Sequence, residues 1–131
     1  MRTLTLSDIE QALRASWDAK TQFATADYLA RGAGRASRGQ CGTTALVVQE
    51  LLGGDLMVAD LEHAGQVVGV HYWNVTSGGV EVDLTRDQLL DDESLVDVRR
   101  VVMPRSASAG ERPFQVLRER VRERLDLHNL T

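Results

Sequence analysis

Gly39-Gln40-Cys41-Gly42-Thr43-Thr44-Ala45-Leu46-Val47-Val48-Gln49-Glu50-Leu51-Leu52-Gly53-Gly54 is the stretch on which the fold turns. Ala45, Leu46, Val47, Val48, Leu51 and Leu52 make it apolar on most sides, and a helix that is apolar nearly all round is a buried one. Gly53-Gly54 stops it, because glycine accepts the left-handed backbone just past a helix C-terminus. On the other side, residues 32–39 are small, polar and glycine-rich, hence a loop. The pattern therefore predicts a central helix that opens at Cys41 and ends at Leu52.

Outward from this helix the pattern changes twice. Before it, Ser7-Asp8-Ile9-Glu10 reads as a capping box, and Ile9, Leu13 and Trp17 recur at helical spacing, so residues 8–18 should be an amphipathic helix with Trp17 in the core. Residues 25–31 form a second short helix. After it the chain turns to strands: 55–61, a turn at 62–65, 66–75, a turn at 76–78, and 79–85. Leu95, Val96, Val98, Val101 and Val102 suggest a further short or edge strand. Residues 104–113 form a loop, and residues 114–125 a closing helix with Leu117, Val121 and Leu125 on one stripe. No internal repeat or linker divides the chain. A single α+β domain over residues 1–131 follows, its small antiparallel sheet packed on the central helix.

Bulk properties narrow the function. With 131 residues, 43% hydrophobic and 26% charged, the chain can bury a core without staples. The net charge of -4 argues against a nucleic-acid partner; the arginines between 118 and 124 alternate with Glu119 and Glu123, as on a solvated helix face. The apolar runs fall well short of the roughly 20 residues of a membrane span, and the N-terminus has no signal-peptide pattern. One cysteine makes no internal disulfide. A cytoplasmic protein is expected.

That cysteine is also the candidate nucleophile. A thiol at a helix N-terminus feels the positive end of the macrodipole, and free backbone N–H groups there stabilise both a thiolate and an oxyanion. The same position suits a small buried hydrophobe. His71 tilts the balance. It lies in the strand pattern Val67-Val68-Gly69-Val70-His71-Tyr72-Trp73-Asn74-Val75, where a histidine among apolar neighbours needs a partner. If residues 76–78 form a three-residue hairpin with Gly78 left-handed, Trp73 pairs with Glu81 and His71 with Asp83. Opposed residues share a face with Cβ atoms about 4.5–5.5 Å apart, so Asp83 can orient the ring and leave the other nitrogen for the thiol. A two-residue loop would pair His71 with Leu84 instead and turn Asp83 away.

Other residues rank lower. Gln40 is a candidate oxyanion donor, and Trp73 a shield or groove-lining residue. Asn74 falls on the face away from His71, and Asp87 is a distant third as orienting acid. His63 and His128 read as surface residues. One cysteine and three scattered histidines give no metal-ligand spacing, and no phosphate-binding glycine motif is present, so no metal or cofactor is expected.

The blocks Arg38-Gly39-Gln40-Cys41-Gly42-Thr43-Thr44, Gly53-Gly54-Asp55-Leu56, His71-Tyr72-Trp73-Asn74 and Glu81-Val82-Asp83-Leu84-Thr85-Arg86-Asp87-Gln88, with Ala12-Leu13-Arg14-Ala15-Ser16-Trp17 before them, resemble the YunG-like bacterial proteins. More remotely, a cysteine on a helix, a histidine on a strand and an acid on the next strand are similar to papain-like, NlpC-type and transglutaminase-like cysteine enzymes. The resemblance implies a papain-like fold with Cys41 as nucleophile, His71 as general base and acid, and Asp83 as orienting residue. It implies hydrolysis of an amide or ester carbonyl in a small-molecule or peptide substrate. Acyl transfer by the same triad, or a non-catalytic accessory role that keeps the fold, stands as the alternative.

Overall fold

The computed structural model describes residues 3–102 and 110–126. The elements run α1 (Leu6–Ser16), α2 (Ala26–Arg31), α3 (Cys41–Leu52), β1 (Asp55–His63), β2 (Gln66–Val75), β3 (Glu81–Val82), β4 (Glu93–Arg100) and α4 (Glu111–Arg124), with a 3-10 turn at Arg86–Gln88. The strands make one antiparallel sheet in the order β3-β2-β1-β4. Helix α3 touches β1 and β2 on one side and α4 on the other, and α4 also packs on α1. Ile9 and Leu13 of α1, Val47 and Val48 of α3, Val82 of β3, and Phe114, Leu117 and Val121 of α4 close the core between these layers.

Local chemistry moved several boundaries. The cap of α1 is Thr5 and not Ser7: Thr5 Oγ1 accepts from Asp8 N–H while Asp8 Oδ2 accepts from Thr5 N–H, both at 3.0 Å. Starting there puts Leu4 and Ile9 on either side of the cap, both against the core, as in a hydrophobic staple. Helix α1 ends at Ser16, and Trp17 is only partly buried, with its Nε1 donating to Thr44 Oγ1. Strand β1 continues to His63, because Ala64 and Gly65 both take positive φ and turn the chain in two residues. The loop expected over 104–113 lies outside the described residues as far as 109, and the chain is helical from Glu111; His128 also lies outside them.

The main correction concerns the third strand. Instead of 79–85 it is only Glu81–Val82, and the pairs are Asn74 with Val82 and Val75 with Glu81. The hairpin loop is two residues longer than expected, held by Gly79 N–H to Thr76 C=O and Thr76 N–H to Val80 C=O. A slip of two preserves side-chain parity. Asp83 thus stays on the side of His71 and Trp73, although it does not stand opposite His71 in the backbone ladder.

The loop before α3 and the start of β4 are joined by a buried ion pair. Arg38, 3% exposed, makes two bonds of 2.8 and 2.9 Å to Glu93, 8% exposed. It also donates to the backbone carbonyls of Tyr28 and Gln88 and stacks 3.6 Å over the Tyr28 ring, while Arg31 reaches Glu93 as well. Removing one member leaves a buried charge uncompensated. Glu93→Ala should therefore cost about 3–5 kcal/mol in urea unfolding, against less than about 0.5 kcal/mol for Glu10→Ala in the exposed helical pair with Arg14. Equal losses would show that the Arg38–Glu93 pair carries no special share of stability.

Candidate active site

Cys41 is the first residue of α3, and no side chain caps that helix. The first-turn N–H groups of Cys41, Gly42 and Thr43 have no acceptor within the helix. The preceding residue pair sets this entry. Gly39 takes φ +79°, and a Cβ there would stand 2.5 Å from Leu29 Cδ2, so glycine is required just before Gln40 and Cys41.

The short β3 explains where the thiol sits. Strand β2 pairs with β3 only at Asn74 and Val75, so its edge from Val70 to Tyr72 is open. Cys41 fills that gap: its thiol donates to Val70 C=O at 3.8 Å, and the backbone N–H of Tyr72 favours its thiolate. The same placement couples the thiol to the charge of His71.

His71 is fully buried, and both its ring nitrogens are bonded. Nε2 lies 2.7 Å from Asp83 Oδ2. Asp83 is held in turn by Arg86 Nε at 2.7 Å and by Thr85 N–H. Nδ1 lies 2.7 Å from Gln88 Nε2. The polarity of the Gln88 amide follows from its other end, where Oε1 accepts Gly39 N–H at 3.0 Å. Gln88 therefore gives an N–H to Nδ1, which accepts, and the neutral ring carries its proton on Nε2, facing Asp83. Gln88, like His71, also acts on the Cys41 thiol and favours its thiolate.

The charges are coupled accordingly. Burial pushes the Cys41 thiol up, but His71, Gln88 and the Tyr72 N–H outweigh it and hold the thiol below its ordinary value. Burial pulls His71 down, yet its bonds to Asp83 and Cys41 push it up to about 9. Burial also raises Asp83, while His71 and Arg86 more than offset this and keep it a carboxylate. Because Gln88 presents a donor, a proton on Nδ1 needs the sulfur as its acceptor. Imidazolium and thiolate therefore form together.

The remaining candidates fall into place around this point. Trp73 is buried, stacks on His71 at 5.6 Å and 22°, and donates Nε1 to Glu81 Oε1 at 3.1 Å. It shields the His71–Asp83 pair and is not on the cavity wall beside Cys41. Gln40 is spent elsewhere: its amide accepts from Thr21 Oγ1 and donates to Asp18 C=O, holding the turn before the loop. Asn74 donates to Ala45 C=O of α3, and Asp87 pairs with Arg14. His63 pairs with Asp92 near the surface. Among the described residues no group of three His, Cys, Asp or Glu could hold a metal, and no helix is long and apolar enough to cross a membrane.

Gln88 is the residue that sequence reasoning missed. It lies in a 3-10 turn, where no periodicity separates a buried amide from an exposed one; only its place in the block ending Arg86-Asp87-Gln88 marked it. Comparison with known proteins gives one family: the profile of the YunG protein family matches residues 5–126. No curated protein and no solved structure shows a significant match.

The thiolate is the species that iodoacetamide alkylates. Since the thiol is held low, the alkylation rate of Cys41 should reach half its plateau below the free-thiol value of about 8.5. His71→Ala leaves burial unopposed by the ring and should move the midpoint above that value. Gln88→Glu keeps an acceptor for Gly39 N–H but turns a carboxylate toward the sulfur, so the midpoint should also rise. Alkylation profiles that coincide in all three proteins would remove the sulfur from this network.

Proposed function

The chain belongs to the YunG family, and from that starting point we propose that it is a cysteine-dependent hydrolase of the amidase or peptidase type on a papain-like fold. One observation carries the reading: a buried imidazole bonded to Asp83 at 2.7 Å through Nε2, whose charge is coupled to that of the Cys41 thiol. That is the nucleophile, base and orienting-acid arrangement of a triad.

The steps follow from these positions. His71 Nδ1 takes the thiol proton as Gln88 yields the lone pair and turns its donors to the thiolate. The sulfur attacks a carbonyl carbon, and the first-turn N–H groups of α3 receive the negative oxygen. As the intermediate collapses, the C–N or C–O bond breaks and Nδ1–H protonates the leaving amine or alcohol. A thioester to Cys41 remains. Water then gives its proton to Nδ1 and attacks the thioester carbon, the S–C bond breaks, and the acid departs with the thiolate restored. An amine in place of water completes acyl transfer with the same residues. The substrate is a small molecule or peptide with an amide or ester carbonyl.

Acid quenching after mixing with p-nitrophenyl acetate should trap one acetyl group on Cys41, visible by intact mass and removed by hydroxylamine; Cys41→Ala should trap none. Asp83→Asn can keep an oxygen that accepts both Nε2–H and the Arg86 N–H, but it removes the charge that favours the imidazolium. It should slow acylation by roughly tenfold or more, the equivalent of one pKa unit of lost imidazolium stabilisation. Acylation of Asp83→Asn at an unchanged rate would sink the role given to this carboxylate.

A further inference from the structure

A cavity of about 610 Å³ opens beside Cys41, a volume within the range of small-molecule sites. Its wall is largely aliphatic and aromatic, with Leu46 of α3, Leu56 of β1, Val68 and Val70 of β2, and Phe23 and Tyr28 from the N-terminal segment. Glu111 is the one charged side chain on the wall among the described residues. Three of its polar side chains are committed to the fold: Thr25 caps α2, Thr43 bonds Thr21 C=O, and Gln49 bonds Gly54 C=O. Tyr28 is different. It is 4% exposed, and its hydroxyl is buried without a hydrogen-bond partner. Burial, assisted by the charge of Cys41, pushes its pKa up to about 12, so it stays a neutral donor. Leaving such a group unpaired is costly, and the closed-off hydroxyl adds no polar contact to the cavity wall.

We propose that this cavity receives the acyl part of the substrate and selects an uncharged, apolar acyl group. The inference rests on the thioester chemistry proposed above and adds which acyl groups form it. Each methylene transferred from water to such a wall is worth roughly a fourfold gain.

The test compares acylation of Cys41 by p-nitrophenyl acetate, butanoate and hexanoate, and by a p-nitrophenyl ester ending in a carboxylate. In each case the sulfur bonds the carbonyl carbon and p-nitrophenolate leaves, so its release reports the step. The rate constant should climb at least tenfold from acetate to hexanoate, and the charged ester should fall below the butanoate. Val68→Phe, which fills the cavity, should flatten the series, with iodoacetamide labelling reporting that the thiol is still in place. A flat or falling series, or a charged ester as fast as the neutral ones, overturns the apolar selection but leaves the cysteine mechanism standing. No acylation by any ester, with iodoacetamide still labelling Cys41, overturns both.

Discussion

A buried imidazole must have both nitrogens bonded, and much of this structure is arranged around meeting that demand for His71. Water cannot reach the ring, so an unpaired nitrogen would cost the full desolvation of a polar group. Asp83 answers at Nε2 and Gln88 at Nδ1. Each of these is anchored in its turn, Asp83 by Arg86 and Gln88 by the N–H of Gly39 and, through its carbonyl, by Arg38. Arg38 needs Glu93 for the same reason that His71 needs Asp83. A chain of compensated buried groups thus runs from the start of β4 to the sulfur of Cys41.

This chain has a consequence for the proton. In a neutral site the Nδ1 lone pair is held by an amide donor, so the ring cannot charge alone. It charges when the thiol gives up its proton and the sulfur becomes the acceptor. The site is poised between two states of equal net charge, which avoids burying an unpaired ion in either. Asp83 favours the charged ring, and the first turn of α3 favours the thiolate.

The sheet supplies the opening. Had β3 run from 79 to 85, it would have paired the β2 edge at Val70 and Tyr72 and left no room for Cys41. The five-residue loop at 76–80 ends the pairing at Asn74, and the freed backbone groups bond the sulfur instead. Gly54 supports the same corner. With φ at +83° and a hypothetical Cβ 2.3 Å from Val75 C=O, it lets the turn after α3 approach the end of β2. Beyond the edge, the wall of the cavity beside α3 is largely apolar, and Thr25, Thr43 and Gln49 on it are used in caps and turns.

Periodicity and glycine placement were enough to read α3, the span of β2 and the stripe of α4, because these elements bury one face or all faces and the pattern is written in consecutive residues. Cys41, His71 and Asp83 could be named together for a related reason: side-chain parity along β2 and β3 survives any even slip in register. The hairpin register itself was not legible. It depends on backbone bonds in the 76–80 loop, whose residues suit several turns, and His71 reaches Asp83 on the diagonal and not directly across. Gln88 and Arg38 were out of reach as well. Their roles come from contacts between segments 17 to 55 residues apart, and an amide or guanidinium looks the same in sequence whether it faces solvent or a buried partner. The sequence by itself determined which residue types could do chemistry and on which faces they lie. Tertiary structure alone decided what fills the second nitrogen of His71, because burial creates that demand and only the folded chain can meet it.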